Sequence, residues 1–292
     1  MDGILPLWKP KGFTSHDCVS KARGMLKTKK VGHTGTLDPE VEGVLPLCVG
    51  KATKIVPFLT DTDKVYETVV TLGYSTTTED ATGDKMDVKK VKPLSISEVM
   101  EALASFQGEI TQIPPMYSAV KVDGKKLYEY AREGKEVERP ARQVMVKEIE
   151  LIDQDITFSE QTASFSIRVV CSKGTYIRTL CVDIGKYLGY PAHMSFLVRT
   201  KTGDISREDC YTFDEIQENV DKDKRNSLLL SLSRGLNHLS SWEVEQEMIP
   251  KIQHGQVFES PEGISEPLFV VKCAGEVLAI YQQHPSKPGY IK

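Results

Sequence analysis

One short stretch of the chain concentrates side chains that can do chemistry. It reads GHTGTLDP over residues 32–39 and closes at Gly43. Two glycines within four residues disfavour both a stable helix and a strand interior, so the stretch is predicted to be a shaped loop. Such loops, held on a rigid scaffold, often carry catalytic groups. Asp38, the one carboxylate in this stretch, is therefore the first candidate for a reacting group.

The backbone at Asp38 is restricted by the residue that follows it. Pro39 favours an extended conformation at the preceding position, which fixes the backbone under the carboxylate. The alternative interpretation is a plain Asp-Pro turn in which Asp38 hydrogen bonds its own backbone. The composition of the loop does not separate the two interpretations.

Regular elements must surround this loop to hold it in place. Short apolar runs alternate with amphipathic patterns along the chain, which predicts a mixed α/β or α+β fold. Residues 3–8 and 43–49 are predicted strands, and Pro46 suggests that the second lies at an edge or is irregular. Ser15 is predicted to cap a helix that ends near Lys27.

The next part of the chain contains the clearest strand patterns. Residues 64–72 are β-branched and alternate in polarity, which predicts a strand. Residues 74–87 are rich in Thr, Asp and Gly, which predicts a loop. Two long strands are predicted at 144–152 and 162–171, followed by an amphipathic helix over 174–188.

Composition and length place the protein in an ordinary class. Hydrophobic residues make up 40% and charged residues 27%, as in soluble globular proteins. No apolar run reaches the roughly 18 residues of a membrane span, and the N-terminus lacks a secretory pattern, so a cytoplasmic protein is predicted. The six cysteines form no CxxC pair, which predicts small buried side chains rather than a metal site.

The charge is unevenly distributed along the chain. The net charge is −4, yet residues 1–60 contain nine Lys or Arg against five Asp or Glu. Residues 165–203 contain six bases, and Asp183 is their single acid. Local basic surfaces of this kind can hold a polyanion whatever the total charge, although ordinary solvated faces are the alternative.

Several motifs together resemble one family, the bacterial tRNA pseudouridine-55 synthases (TruB family). KPKGFTS at residues 9–15 resembles its first motif. The loop at 32–39, followed by GVLPLCVGKATK at 43–54, is similar to its second motif. Lys64-Val65-Tyr66 matches its K-x-Y strand, and CSKGTYIRTL at 171–180 resembles its third motif. Order and spacing fit the family from residue 3 to about residue 200.

The resemblance implies both a fold and a reaction. The implied fold is α+β, with a largely antiparallel mixed sheet flanked by helices as the catalytic domain over 1–235. A small β-rich, PUA-like RNA-binding module is implied over 240–292. The implied reaction isomerises one uridine in the T-arm of free tRNA (position 55, TΨC loop) by C1′–N1 cleavage, uracil rotation and C1′–C5 rejoining. No metal, organic cofactor or membrane is implied, and a monomer is predicted.

The same resemblance implies roles for three catalytic residues. Asp38 matches the essential aspartate, which forms a covalent intermediate or removes a ribose proton, and both roles need its ionised form. Arg178 is expected to pair with that carboxylate and to keep its pKa low. Tyr66 is expected to stack on the target base and to help proton movement at C5.

Five further residues are implied to contact RNA. His33 resembles the histidine that fills the space left by the extruded base. Asp80 matches an acidic position that is a candidate for binding the base. Lys9, Lys54 and Lys173 are expected to serve as scaffold or phosphate contacts.

Two other functions compete with a stand-alone enzyme. One is an RNA-binding or tRNA-folding protein without catalysis, which the joint presence of Asp38, Tyr66 and Arg178 disfavours. The other is the catalytic subunit of a guide-RNA-dependent pseudouridylation particle. Such subunits usually have basic terminal extensions, so the enzyme on free tRNA is the preferred prediction.

Overall fold

Nineteen strands form the sheets in the computed structural model, which describes residues 1–292. They are β1 (Gly3–Lys9), β2 (Val31–His33), β3 (Glu42–Val49), β4 (Lys64–Leu72), β5 (Tyr74–Thr76), β6 (Lys85–Val88), β7 (Gly108–Gln112), β8 (Lys121–Val122), β9 (Lys125–Lys126), β10 (Arg142–Leu151), β11 (Thr157–Phe158), β12 (Ala163–Cys171), β13 (Ala192–Thr202), β14 (Ile205–Ser206), β15 (Ser241–Glu243), β16 (Phe258–Glu259), β17 (Leu268–Cys273), β18 (Glu276–Gln282) and β19 (Tyr290–Ile291).

Eight α-helices and four short 3-10 segments connect these strands. The helices are α1 (Ser15–Leu26), α2 (Val56–Thr60), α3 (Ile96–Ser105), α4 (Leu127–Arg132), α5 (Ile177–Tyr187), α6 (Phe213–Asp221), α7 (Leu232–Gly235) and α8 (Ile249–Gln253). The 3-10 segments are Gly50–Ile55, Arg207–Asp209, Arg225–Leu228 and Gln246–Met248. None of the helices combines the length and apolar character needed to cross a membrane.

A ten-stranded sheet forms the centre of the fold. Its main path runs β1-β3-β13-β4-β12-β10-β7, and β2, β11 and β14 pair alongside it. All of its pairs are antiparallel except β13 with β3, which are parallel over two residues of each strand. The predicted α+β class with a largely antiparallel mixed sheet is confirmed.

Apolar side chains pack on the sheet in two main clusters. Strands β4 and β12 alternate in burial, so Val70, Phe165 and Ile167 face the helix α5 side chains Leu180 and Ile184. Burying each such side chain stabilises the fold by about 1.5–3 kcal/mol. At the other end of the sheet, β1 and β3 pack against α1 and α6 in the same way.

The first helix begins one residue earlier than predicted for its cap. Thr14 is the N-cap, since its side chain accepts the N–H of Asp17 and the Asp17 carboxylate accepts the N–H of Thr14. The prediction that Ser15 caps the helix is wrong. Ser15 is buried, and its hydroxyl accepts the backbone N–H of Leu37 at 2.9 Å. Its side chain thus ties α1 to the loop that carries Asp38.

Pro46 lies in β3, which is not an edge strand, and it marks an irregular position in the pairing, which is the second of the two predicted alternatives. It faces Pro6 of β1 in the register, while β13 pairs with β3 at Glu42 and Gly43. The short strand β2 pairs with β3 from Leu47 onward. Pro46 therefore falls between two partners, where its missing N–H costs no ladder hydrogen bond.

The Thr- and Gly-rich segment 74–87 is more ordered than predicted. It contains the hairpin β5–β6, and its tip folds back so that Asp80 and Met194 form a β-bridge. His193 holds the base of the hairpin, because its Nδ1–H donates to the carbonyl of Tyr74 at 3.1 Å. The pairing of this hairpin is local, joining Tyr74 to Val88 and Thr76 to Lys85, and it was missed because the Thr- and Asp-rich composition is typical of a loop.

The C-terminal fifty residues form the small β-rich unit that was predicted. Strands β15, β17 and β18 make one sheet, and β16 pairs with β19. Phe269, Val271, Tyr281 and Ile291 form its own buried core. Val270, the residue between the first two, belongs to a different cluster that includes residues of β1, β3 and α2. Strand β17 therefore packs on both of its faces.

Candidate active site

Lys9 at the end of β1 holds the loop that carries Asp38. It is fully buried, and its ammonium donates to the carbonyl oxygens of Pro10 at 3.0 Å, Pro39 at 3.1 Å and Val41 at 2.6 Å. All three of its donors are thus engaged within the protein. Of the two roles predicted for Lys9, the geometry supports the scaffold and leaves no donor for an RNA phosphate.

Further hydrogen bonds from outside the loop fix its shape. Besides Ser15, which binds Leu37, Thr34 donates through its backbone N–H and its hydroxyl to the carbonyl of Pro46, each at 3.2 Å. The Asp38 carboxylate contacts Arg178 instead of its own backbone. Residues 38–41 do form a turn, in which the N–H of Val41 donates to the carbonyl of Asp38 at 3.1 Å, but the carboxylate faces Arg178 and not the turn backbone.

Arg178 joins the loop to helix α5. Its Nη2 lies 3.1 Å from Oδ2 of Asp38, and its Nη1 lies 3.7 Å from Oδ2 of Asp80. The same guanidinium donates to the carbonyls of Thr78 at 3.1 Å and Tyr117 at 2.8 Å. The predicted pairing of Arg178 with Asp38 is present, and two hydrogen bonds to carbonyls together with two carboxylate ion pairs fix the orientation of the guanidinium.

The first turn of α5 is itself held in place. The side chain of Gln112 in β7 accepts the N–H of Tyr176 at 2.9 Å and donates to its carbonyl at 3.1 Å. Thr179 donates to the carboxylate of Glu79 at 2.7 Å, which ties α5 to the tip of the β5–β6 hairpin. Arg178 thus stands on a rigid support, as a positioned catalytic group requires.

The pKa of Asp38 is raised, contrary to the predicted lowering. The carboxylate lies in a protein-lined pocket, and burial raises its pKa more than the positive charge of Arg178 lowers it. The nearby Asp80 carboxylate raises it further, whereas Lys9 lowers it. The side chain keeps 43% of its surface exposed, so substrate can still reach it.

Tyr66 lies on β4 in the middle of the sheet. It faces Val169 of β12 on one side and Arg199 of β13 on the other. Burial raises the pKa of Tyr66, which the charge of Arg199 partly opposes. The hydroxyl is therefore neutral near pH 7 and able to donate or accept a hydrogen bond.

One pocket of about 280 Å³ brings the three predicted catalytic residues together. Asp38, Tyr66 and Arg178 all line it, and Leu197 adds an apolar wall. It opens into a wider groove of about 950 Å³ that shares Asp38 and Arg178 with it and also contains Asp80. The arrangement offers a carboxylate, a phenol and apolar surface to a planar ligand.

The remaining predicted residues are more scattered. Lys173 lines the pocket rim and pairs with Asp61 at 2.7 Å. Lys54 is exposed in the 3-10 segment after β3 and does not line the pocket. His33 is half-buried outside the pocket lining, and its Nδ1 accepts the N–H of Gly35 at 3.4 Å.

Asp80 faces Arg178 with one carboxylate oxygen and its own loop with the other. Its Oδ1 accepts the backbone N–H of Thr82 at 2.9 Å and the hydroxyls of Thr78 and Thr82 at 2.7 and 2.5 Å. This geometry favours a role in orienting Arg178 over the predicted contact with the base.

Two buried cations of the pocket were not among the predicted site residues. Lys64 and Arg199 both line it, and Arg199 is only 1% exposed. Arg199 was counted with the basic surface of residues 165–203, and that interpretation is wrong for Arg199 and Arg178 because both are buried. The available signal was a charged residue directly after the apolar pair Leu197-Val198.

Comparison with known families identifies the chain. A family model described as TruB family pseudouridylate synthase (N terminal domain) matches residues 23–177, more than half of the chain. The chain belongs to the TruB family. A second model, described as tRNA pseudouridylate synthase B C-terminal domain, matches residues 178–237. As a TruB-family member the protein is a pseudouridine synthase, an isomerase.

Curated relatives of the TruB family match along the whole chain. Proteins named tRNA pseudouridine synthase B are 57% identical in Oceanobacillus iheyensis, 52% in Bacillus velezensis and 51% in Bacillus subtilis. Each match covers 100% of this chain and 96% of the relative.

Solved structures of related proteins share the fold. A chain of a Cbf5–Nop10–Gar1 complex matches with a TM-score of 0.75 and 27% identity, over 96% of this chain and 78% of that chain. A chain of an H/ACA RNP bound to a substrate RNA containing 2′-deoxyuridine matches with a TM-score of 0.73 and 25% identity, over 96% and 77%.

Proposed function

We propose that this protein converts the uridine at position 55, in the T-arm of free tRNA, to pseudouridine, and that it acts as a monomer. The observation that carries the proposal is the single pocket lined by Asp38, Tyr66 and Arg178, with Arg178 3.1 Å from the carboxylate. The names of relatives that are 51–57% identical support tRNA as the substrate.

Each of the three residues has a distinct task in the reaction. The ionised carboxylate of Asp38 attacks the ribose or removes one of its protons, and both routes lead to cleavage of the C1′–N1 bond. Arg178 holds that carboxylate in one orientation and favours its ionised form. Tyr66 packs against the detached base, and its neutral hydroxyl can relay the proton that leaves C5.

The shape of the pocket requires the nucleotide to leave its stack. A volume of about 280 Å³ admits one nucleoside and not a helical stem. Extruding a base costs a few kcal/mol. Stacking on an aromatic ring such as Tyr66 offsets roughly 1–3 kcal/mol of that cost.

The groove outside the pocket suits the RNA around the target. Two exposed cations, Lys11 and Arg132, line it together with Phe196, which is 39% exposed. Lys11 lies over the Phe196 ring, 5.5 Å from its centroid. Cations that contact phosphates and an exposed ring on which a base can stack are the usual means of holding flexible RNA.

Replacement of Asp38 by Asn tests the proposal directly. D38N removes the carboxylate and keeps the shape, so we expect no pseudouridine, with tRNA binding retained within a few-fold. The measurement is mass spectrometry of an unmodified tRNA transcript incubated with protein alone, without guide RNA. D153N, at an exposed aspartate in the turn after β10, is the matched control and should react like the wild type.

Three outcomes would contradict the proposal. Product from D38N would remove Asp38 from the reaction. A wild-type protein that reacts only when a guide RNA is added would belong to a pseudouridylation particle. Product on a transcript whose T-arm uridine 55 is replaced by cytidine would place the target elsewhere.

A further inference from the structure

We propose that Arg199 is a fourth active-site group, which hydrogen bonds the uracil ring and stabilises its negative charge while the ring is detached from the ribose. The inference deepens the proposed function and rests on it. The guanidinium of Arg199 is buried, and one of its nitrogen atoms has no hydrogen-bond partner.

The hydrogen bonding of Arg199 is incomplete. Its side chain is 1% exposed, and its Nε donates to the carbonyl of Val44 at 2.8 Å. Its Nη2 is buried without any hydrogen-bond partner, and no carboxylate lies within 4.0 Å of the guanidinium. Most buried polar side-chain atoms are paired, so an unpaired charged donor on a residue that lines the pocket points to a missing partner.

The loop that carries Asp38 is shaped around Arg199. A Cβ at Gly43, where φ is +136°, would lie 2.3 Å from the backbone oxygen of Arg199. A Cβ at Gly35 would lie 3.6 Å from its Nη1. Gly43 thus lets β3 approach the backbone of Arg199 closely, and Gly35 lies within van der Waals distance of the guanidinium of Arg199, whose register partner is Tyr66.

The neighbouring cations, Lys64 and Lys9, are hydrogen bonded to backbone carbonyls of the protein. The ammonium of Lys64 donates to the carbonyls of Thr60 and Thr62, as that of Lys9 does to three others. Burial and the charge of Arg199 lower the pKa of Lys64 to about 8. Lys9 thus has no donor left, and Lys64 keeps at most one on an ammonium whose charged form burial disfavours, whereas Nη2 of Arg199 has no partner at all.

The reaction creates the charge that such a donor would stabilise. When the C1′–N1 bond breaks, its electron pair stays on the ring, which becomes a uracil anion with charge on N1, O2 and O4. After rotation C5 bonds to C1′, the C5 proton leaves and N1 takes up a proton, so the product is an isomer of the substrate. A preorganised donor at a developing anion typically contributes 10²–10³-fold in rate.

The test compares two substrates whose ring anions differ in stability. Fluorine at C5 withdraws electrons, so the anion of 5-fluorouracil needs less help from the protein. We expect R199Q to slow consumption of a transcript with uridine at the target by about 100-fold or more. The loss on a transcript with 5-fluorouridine there should be at least several-fold smaller, and R199K should recover part of the uridine rate.

The readout is the ratio of the two single-turnover rates, followed by mass spectrometry of the target nucleoside. Any loss of correctly folded protein lowers both rates equally and cancels in the ratio. R168Q is the matched control, because Arg168 is a partly exposed arginine of the same sheet that pairs with Glu148 and Glu150. Its ratio and rates should equal those of the wild type.

Two results would overturn the inference. Equal losses on both substrates in R199Q would assign Arg199 a purely structural role through Val44, and unchanged rates would assign it none. If wild-type protein makes no pseudouridine from tRNA, the proposed function fails, and this inference fails with it. The wild-type reaction thus distinguishes the two failures.

Discussion

At the scale of single residues, the site depends on the guanidinium of Arg178, which forms ion pairs with two carboxylates, Asp38 and Asp80. Arg178 lies 3.1 Å from Asp38 and 3.7 Å from Asp80, and the same two nitrogens, Nη2 and Nη1, donate to two backbone carbonyls. Two carboxylates so close to one cation leave the pKa of Asp38 raised by burial and by its acidic neighbour. The ionised Asp38 that the reaction needs is therefore lost at a higher pH than for an ordinary aspartate.

This balance predicts how the rate depends on pH. The single-turnover rate should fall on the acid side at a pH above the ordinary aspartate pKa of 3.8. R178Q removes the charge that lowers the pKa of Asp38, so its acid limb should move to higher pH, and its maximal rate should fall. The measurement is the rate against pH on an unmodified tRNA transcript.

A matched change elsewhere separates the local effect from a general one. K173Q removes an exposed cation at the pocket rim that pairs with Asp61. Its acid limb should stay where the wild type has it. An R178Q profile with an unmoved acid limb would show that another group controls the rate.

Motifs predicted the identities of Asp38, Tyr66 and Arg178 but not the distances between them. These residues are far apart in the chain, and only the sheet register and the start of α5 bring them to one pocket. Arg199 was misinterpreted as a surface charge because a sequence carries no direct mark of burial. The raised pKa of Asp38 was also missed, since it depends on the walls of the pocket.

At the scale of elements, the loop after β2 is held by its neighbours. Lys9 at the end of β1 and Ser15 at the start of α1 supply the hydrogen bonds that fix Leu37, Pro39 and Val41. The backbone under Asp38 thus depends on two elements that carry no catalytic group.

The replacement K9M tests this support. It leaves three carbonyl oxygens without their donor, so we expect the free energy of unfolding to fall by about 2–4 kcal/mol. The rate should also fall, because the carboxylate loses its fixed position. Denaturant unfolding and single-turnover kinetics measure the two effects.

Lys11 provides the control for this experiment. It lies two residues further along and is exposed in the groove. K11M should leave stability unchanged within about 0.5 kcal/mol while weakening tRNA binding. Equal stability of K9M and wild type would contradict the scaffold role of Lys9.

Local patterns predicted the elements that are governed by local forces. The alternating pattern over 64–72 predicted β4 with the bounds that the structure has. The amphipathic pattern over 174–188 predicted α5, which begins three residues later, at Ile177. The β5–β6 hairpin was missed although its pairing is local, because its Thr- and Asp-rich composition is typical of a loop and its contacts with β13 are distant in the chain.

At the scale of the whole molecule, the C-terminal unit shares a core with the rest of the protein. Phe269 and Val271 face the unit's own core, whereas Val270 packs in a cluster with Ile4 and Val44. We propose that residues 1–235 form the catalytic domain and 240–292 a PUA-like RNA-binding module. The shared cluster makes the stability of one depend on the other.

Val270→Ala tests this coupling. The fully buried side chain loses two methyl groups and leaves a cavity, so the free energy of unfolding should fall by about 2 kcal/mol. V257A, at a valine that is 38% exposed in the same unit, should have little effect. A single unfolding transition that shifts as a whole in V270A supports coupling, and a shift in only one of two transitions contradicts it.

The order of the central sheet has a consequence for biosynthesis. Strands β3 and β4 follow one another in the chain, yet β13, made more than a hundred residues later, lies between them. Until residues 192–202 have left the ribosome, both strands present an unpaired edge where their partner will insert. Arg199 arrives with that same strand, so the nascent chain acquires its complete catalytic pocket only after about two thirds of it has been translated.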